Sequence, residues 1–489
     1  MRSRNRIIAS AFILLAIVFG FFGRKQWKAN ENLGYLRTGA DNYSNSDETQ
    51  KTQLADVIQE FVQRPILSYE ESVKLNSKTC PTEGVNFDEG TIDYNERKWR
   101  RLPSSKISDL RQGIAAHLYR KHREKHEKTR SESSLAKNGH GRETMGGRGI
   151  VMAAGDRAAV VRARTNIRLL RSYNCTLAVE IFHFPNELSE PVKSLLEGLS
   201  LPEQPSEEQE GHSGMKVSVR VVEGLQKGND WKAFEIKGAA MQQSSFDEIL
   251  YLDTDSYLLR NPGYLFESKH WKETGLMLWP DYTKSHPTNP VWRLLGQRCR
   301  NEYEGESGQI LISRSRHQDL LWLVEYFAIN HHEFYGFMGG DRDSFRAAAL
   351  LLGKKWTGPG RLNAAAGIPL QENPQGGGHT MLQADPEGKW IFVHANLIKH
   401  AHFSRPLWSR VHRVAQDKFA AESTYGDIHP PNDKLGDGVK LRVTYEPMMA
   451  STMSTFEGYD EALVVVEDWD SYAELKGFEE KWFRFGGTH

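Results

Sequence analysis

The sequence predicts an α/β protein built on an open sheet, and three stretches carry that expectation. GIVMAAGDRAAVVRARTNIRLLRSYNCTLAVEIFHF (149–184) reads as strand, helix, strand. Ile150–Ala154 is a short apolar run, Gly155-Asp156 turns the chain, and Val160, Val161, Ile167 and Leu170 share one helical face before the strand Leu177–Phe182. KVSVRVV (216–222) alternates as a strand does, and a helix over roughly 231–243 leads to the apolar run Ile249–Leu252. In a sheet of this kind the ligand crevice lies at the carboxyl ends of the strands. Gly155 stands at one such end, and Asp253 and Asp255 at another.

The bounds are ordinary for a globular protein. The chain has 489 residues, 39% hydrophobic and 10% aromatic. Lys+Arg and Asp+Glu both number 63, and this balance speaks against a dedicated nucleic-acid binder. Cys80, Cys175 and Cys299 permit at most one disulfide with one thiol left over, which allows the secretory pathway without demanding it.

Taken in order, the elements begin with IIASAFILLAIVFGFFG (7–23), an uncharged run bracketed by Arg2, Arg4, Arg6 and Arg24, Lys25, Lys28. As a helix it is about 26 Å long, against a membrane core of roughly 27 Å early in the secretory pathway. A cleaved signal peptide has an apolar region of about 7–15 residues and small residues at its end. The Phe-rich end here suits an uncleaved signal anchor instead, with residues 1–6 as a cytoplasmic tail. The flanking basic residues are equal in number on both sides and do not set the orientation. Residues 24–94 are polar and read as a stem that buries too little to fold compactly. Asn42-Tyr43-Ser44 and Asn174-Cys175-Thr176 are glycosylation acceptors if lumenal, a pattern common by chance.

From residue 95 the chain is dense, and 95–489 is read as the main domain. Ile107, Leu110, Ile114 and Leu118 line a helix that Ser104 or Ser105 can cap. RKHREKHEKTR (120–130), with Glu124 and Glu127 interleaved, is a solvated helix end rather than a surface for anionic lipid or nucleic acid. Residues 131–149 read as a loop. QENPQGGGHTMLQ (371–383) reads as another, placed to fold over a ligand.

Asp253 and Asp255 are the chemical centre of this reading. On extended chain the spacing i, i+2 puts both side chains on one side. Paired carboxylates at a strand exit attract a hard divalent cation that can bridge to phosphate oxygens; the plain alternative is a pair of turn aspartates. There is no G-x-G-x-x-G, so a nicotinamide site lacks its fingerprint. Haloacid-dehalogenase-type phosphatases also place D-x-D after an apolar strand. Their motif wants Thr or Val where Tyr257 stands, and it opens the fold, whereas here at least three strands precede it.

SSFDEILYLDTDSYLLRNPGYLFES (244–268) followed by TGLMLWPDY (274–282) resembles the fungal Golgi α-mannosyltransferases of the Mnn type. GIVMAAGD, ESGQILISRSRH (306–317), GGDRDSFRAAALLLGK (339–354) and WIFVHANLIKH (390–400) extend the likeness, in order, over about residues 149–410. The resemblance implies a GT-A-like nucleotide-sugar-binding domain with an open mixed sheet, in a single-pass type II protein of the Golgi membrane. It implies transfer of mannose from GDP-mannose to mannose-containing glycans with retention of configuration, using Mn²⁺. A Golgi transferase complex would be a further partner. On this basis Asp255 is expected as a metal ligand, Asp253 as a second contact to metal or ribose, and His394 as the remote imidazole that completes the set. A core histidine is the competing reading of His394. Gly155, Lys237 and Lys399 are expected at the donor, with Lys237 equally readable as a solvated lysine. Asp341 and Asp343 are the expected catalytic carboxylates, to hold the acceptor hydroxyl or stabilise the oxocarbenium-like centre; equally, they read as helix N-terminal aspartates. Trp279, Asp281, Glu306 and Gln309 are softer candidates for donor or acceptor contact. Two other functions stay open: a retaining transferase using a UDP-sugar, and a non-catalytic Golgi glycan-binding or assembly subunit. Linkage and acceptor are not legible.

Overall fold

A computed structural model describes residues 47–80, 82, 89–136, 146–200, 214–227, 235–367, 378–398, 405–414, 424–425 and 464–488. The apolar run 7–23, Asn42 and Lys399 lie outside these residues. Among the described residues no helix is long and apolar enough to cross a membrane. The chain divides into two units, residues 1–56 and 57–489. In the first, the described residues 47–56 belong to helix α1 (Asp47–Gln63). All that follows concerns the second.

The elements run α2 (Tyr69–Asn76), α3 (Glu89–Trp99), α4 (Ser104–Ala136), β1 (Arg148–Ala153), α5 (Arg157–Ser172), β2 (Ala178–His183), α6 (Glu190–Glu197), β3 (Val217–Val221), α7 (Glu235–Gln243) and β4 (Glu248–Leu252). They continue with β5 (Ser256–Leu258), α8 (Lys269–Thr274), β6 (Leu276–Lys284), α9 (Pro290–Leu295), β7 (Tyr303–Ser313), α10 (Gln318–Ile329), α11 (His331–Met338) and α12 (Ser344–Leu352). Last come β8 (Trp356–Thr357), β9 (Ala364–Gly367), β10 (Thr380–Ala384), β11 (Trp390–His394), β12 (Arg410–Val414), β13 (Thr424–Tyr425), β14 (Val464–Asp468) and α13 (Phe478–Arg484).

Two sheets result. The first has eight strands in the order β13-β8-β6-β7-β4-β1-β2-β3. Its β4-β1-β2-β3 half is parallel, and β7 pairs antiparallel with both β4 and β6, so the expected mixed α/β sheet is present. Because β1 is followed on one side by β2 and flanked on the other by β4, the strand order reverses between β1 and β4. Such a switch point opens a crevice at the strands' carboxyl ends. The second sheet, β14-β12-β9-β10-β11-β5, is antiparallel in every pairing. Its face is packed by Tyr257, Trp390, Trp408, Trp469, Phe478 and Trp482.

Three local expectations give way to tertiary structure. Residues 131–136 continue α4 instead of looping, and the Arg120–Glu124 and Arg123–Glu127 pairs one turn apart favour that extension. Residues 380–383 lie in β10, not in a lid; 371–377 are outside the described residues. The packed domain begins near residue 57, not 95. Ile58, Phe61, Tyr69 and Cys80 are buried, and Cys80 is disulfide-bonded to Cys299, 219 residues away. Buried Arg111 donates to the carbonyls of Arg64, Pro65, Arg293 and Leu294, while Arg293 donates to Leu67, Trp99 and Leu102. These bonds tie polar, low-hydropathy segments to the domain, a source of order that apolar periodicity does not report. Closing so long a loop removes about 5 kcal/mol of chain entropy from the unfolded state in the entropic account.

Two histidines are buried where a proton is unwelcome. His317 donates through Nε2 to the Thr274 carbonyl at 2.8 Å, and His379 through Nε2 to the Leu407 carbonyl at 2.8 Å. Burial pushes each down to about 4. The unfolded chain takes up these protons near pH 6.5 and the folded chain only near 4. Stability present above 6.5 is therefore lost as pH falls towards 4, about 3 kcal/mol per group at most. His379→Gln keeps a side-chain donor and removes the titration. Its melting temperature should fall less steeply between pH 6.5 and 5 than that of the wild type, measured by calorimetry.

Candidate metal and donor site

The site is assembled where the chain leaves one sheet for the other. β4 ends at Leu252 in the first sheet, β5 begins at Ser256 in the second, and Asp253-Thr254-Asp255 is the joint. The joint is a turn, not the extended chain that the i, i+2 argument assumes: Ser256 N–H bonds back to the Asp253 carbonyl at 2.9 Å. The carboxylates converge nevertheless, because every side of the turn is held. Asp253 N–H donates to the Gly308 carbonyl at 2.8 Å, and Ala395 N–H to the Asp255 carbonyl at 2.9 Å. From α5, one helical turn apart, Arg162 Nε reaches Thr254 Oγ1 at 3.2 Å and Asn166 Nδ2 the Thr254 carbonyl at 2.9 Å.

β11 supplies the third group. Register sets His394 opposite Ser256, beside Asp255. One oxygen each of Asp253 and Asp255 and one ring nitrogen of His394 lie within 4.8 Å of one another, the one such grouping of metal-ligand side chains among the described residues. His394 Nε2 is 3.5 Å from Asp255 Oδ1, and Nδ1 is 3.5 Å from Glu306 Oε1. Nδ1, on the Glu306 side, is buried and makes no hydrogen bond, so the ring is not tied down to main chain as His317 and His379 are. Burial opposes a charge on the ring, but Glu306 and Asp255 outweigh it and raise the pKa above its ordinary value. Two carboxylates and an imidazole fit a divalent cation that accepts oxygen and nitrogen.

Gly308 makes this arrangement sterically possible. A Cβ there would lie 2.5 Å from His394 Cε1. Its N–H also donates to Glu306 Oε1 at 2.6 Å, holding that carboxylate towards the ring.

Lys237 is the second centre. It is buried, not solvated, on the face of α7 turned to the sheet. Nζ lies 2.7 Å from Asp341 Oδ2 and 3.2 Å from Asp253 Oδ2, and donates to the Ser307 carbonyl and hydroxyl, each at 2.9 Å. Ser307 Oγ donates in turn to Asp341 at 3.2 Å, and Tyr251 OH to Asp253 Oδ1 at 3.0 Å. Burial works against the ammonium, but Asp253 and Asp341 outweigh it and hold its pKa above the ordinary value. Lys237 thus connects Asp341 to the Asp253 turn.

The remaining candidates separate. Asp343 does not join the cluster: its oxygens take Arg346 Nε at 2.6 Å, Arg346 Nη2 at 2.7 Å and Gly305 N–H at 2.7 Å. That places it in a buried network with Glu302, Glu304, Asp281 and Arg342. Asp281 is bound to Arg342 at 2.6 Å there. Trp279 is core, donating to the Ala384 carbonyl at 2.7 Å and set edge-on to Phe392, so it offers no sugar-facing ring. Gln309 lies beneath the joint, accepting from Ser256 Oγ at 3.1 Å, with its Nε2 buried and unpartnered. Gly155 closes β1, and a Cβ there would meet the Glu187 carboxylate. Sequence reasoning missed Arg162, Asn166, Ser307 and Gly308. Only Gly308, a glycine inside a strand, carried a signal, that of close approach.

Residues 147–292 and 296–385 match a family described as "Mannosyltransferase putative". Alpha-1,2-mannosyltransferase MNN22 of Candida albicans is 28% identical over 206 residues, 33% of this chain and 35% of that protein. Alpha-1,2-mannosyltransferase MNN5 of Saccharomyces cerevisiae is 25% identical over 268 residues, 42% of this chain and 43% of that one. The chain thus spans between about a third and two-fifths of the length of these relatives. Among solved structures, the glycosyltransferase GlyE of Streptococcus pneumoniae TIGR4 aligns with a TM-score of 0.29 and 14% identity, covering 43% of this chain and 44% of GlyE. The fold is therefore read from the sheet topology itself.

Lys237→Met leaves the carboxylates of Asp253 and Asp341 without their buried counter-charge. It should cost about 3 kcal/mol of stability, as breaking a buried pair does. A divalent cation can replace part of the lost charge, so Mn²⁺ should raise the melting temperature of the variant more than that of the wild type. Equal shifts in both would separate Lys237 from the cation site.

Proposed function

We propose that this chain, a member of the fungal Mnn-type mannosyltransferase family over residues 147–385, is a metal-dependent retaining α-mannosyltransferase that uses GDP-mannose. One observation carries the reading: Asp253, Asp255 and His394 converge on a single point at the sheet's switch point. These three side chains would hold Mn²⁺, which when bound neutralises charge growing on the diphosphate of the leaving nucleotide. Asp255 and His394, both buried, define the inner wall, and half-exposed Asp253 faces the opening.

The chain's own groups do the rest. Lys237 keeps Asp341 and Asp253 at fixed separation, so a sugar held against the metal turn lies beside the Asp341 carboxylate. There Asp341 stabilises positive charge on the anomeric carbon, while the acceptor hydroxyl enters on the face the nucleotide leaves. Asp343, engaged by Arg346, has a structural part only: it anchors the start of α12, and Asp341 with it. The buried surroundings keep the dielectric low, which strengthens each of these interactions. The acceptor is a mannose-containing glycan, and the enzyme works in the lumen of the secretory pathway, anchored in the Golgi membrane by residues 7–23. The Cys80–Cys299 disulfide supports an oxidising compartment.

Incubation of the protein with GDP-mannose, Mn²⁺ and manno-oligosaccharides should give elongated products of retained configuration, read by mass spectrometry and NMR. Asp255→Asn should reduce turnover at least 100-fold with the melting temperature little changed. Elongation from a UDP-sugar in place of GDP-mannose would reassign the donor.

The His394 ring ligates only when neutral, and its neighbours raise its pKa in the cation-free protein. Cation affinity should therefore fall as pH drops through a value above 6.5, not below it. His394→Ala should weaken Mn²⁺ binding roughly 10–100-fold and flatten that pH dependence. Titration of bound Mn²⁺ by electron paramagnetic resonance measures both.

A further inference from the structure

The turn that follows α5 has a geometry and a sequence with separate explanations. Asn174 N–H bonds to the Arg171 carbonyl at 2.9 Å and Cys175 N–H to the Leu170 carbonyl at 3.1 Å, the paired bonds of a Schellman helix end. Asn174 takes the left-handed position of that motif, with φ 53°, where Gly is the usual residue and Asn the usual substitute. Cys175, the next residue, turns inward: it is buried, is not disulfide-bonded, and packs in the same core as Leu170. The fold thus explains an Asn at 174 and an apolar residue at 175.

It does not explain Thr176. That side chain is exposed and forms no hydrogen bond with the described residues. Asn174 is exposed as well, its backbone carbonyl anchored by Asn261 Nδ2 at 3.1 Å. A free hydroxyl two residues after an exposed Asn, with no proline between, is the acceptor pattern for N-linked glycan. Here the pattern falls on a rigid surface corner that points its first and third side chains outward and its second inward.

We propose that Asn174 carries an N-linked oligosaccharide; the inference rests on the lumenal placement given above. The donor is a lipid diphosphate-linked oligosaccharide of the host. A bond forms between Asn174 Nδ2 and the anomeric carbon, the bond from that carbon to the phosphate oxygen breaks, the amide gives up one proton, and the lipid diphosphate leaves. The transfer precedes completion of the turn, since the finished corner holds the backbone fixed. The attached glycan covers the surface end of α5, on the helix that positions the metal turn through Arg162 and Asn166.

The test is this chain made in a eukaryotic host, treated with a peptide-N-glycosidase, the amidase that hydrolyses the Asn–glycan bond, and mapped by peptide mass spectrometry. Wild type and Thr176→Ser should shift on digestion and yield Asp at 174 after enzymatic release. Asn174→Gly should lose that modification with an undiminished melting temperature, because Gly suits the left-handed position. Thr176→Ala should lose it while leaving the turn untouched. Unmodified Asn174 in folded wild-type protein overturns the proposal. If Asn42 is modified in that sample, or the C-terminus is protected from protease inside vesicles, the lumenal placement stands and only the Asn174 assignment fails. If protease reaches the C-terminus in intact vesicles, both fail.

Discussion

Everything at the site depends on a change of sheet within three residues. β4 is central in one sheet and β5 is an edge of the other, and the chain between them has no room for more than a turn. A turn exposes main-chain groups that strands would have paired, and here each is claimed by a different element: Gly308 of β7, Ala395 after β11, Asn166 of α5. Because those elements are rigid, the side chains of Asp253 and Asp255 inherit their precision. His394 is placed by the same pairing that seats β5, so the two sheets cannot be correctly joined without bringing the three groups together.

Electrostatics then divides the acidic residues into two populations. Asp253 and Asp341 share one ammonium, Lys237, while Asp255 faces the His394 ring. Asp281, Glu302, Glu304 and Asp343 are distributed around two guanidinium groups, Arg342 and Arg346, in fixed forked contacts. Burial drives Glu304 up to about 7 and raises Asp281, in each case against the opposing pull of Arg342. Gly305 to Gly308 is the boundary between the populations, and one strand, β7, serves both.

The parallel half of the sheet was legible because apolar runs, turns and helical faces alternate there in order. D-x-D at a strand exit and an imidazole ending an apolar run marked Asp253, Asp255 and His394 as candidates, and the structure brings them together. The reason given for the pair was wrong in detail, since a turn, not an extended chain, makes them converge. Lys237 looked like any lysine on a helix; only tertiary packing reveals that its face is the inner one. Trp279 and Asp343 misled for a related cause. Sequence shows residue type, but not which side of a two-sided strand faces the crevice, nor that Arg346 one turn along would engage both oxygens of Asp343. Arg162, Asn166 and Ser307 act through single polar contacts between elements distant in sequence, and such contacts leave no periodic trace.

The second sheet also fixes an order of events. β11, which carries His394, is supported through β10, β9 and β12 by β14, and Tyr257 of β5 packs edge-on against Trp482 of α13. Residues 464–488 leave the ribosome last of the described segments, long after Asp253 and His394. The parallel half of the first sheet can form as it is synthesised, whereas the floor under the Asp253–Asp255 turn waits for β14 and α13. A nascent chain that has not yet made residues 464–488 therefore holds Asp253, Asp255 and His394 in sequence but not in their final setting, because β14 and α13 have still to close the second sheet.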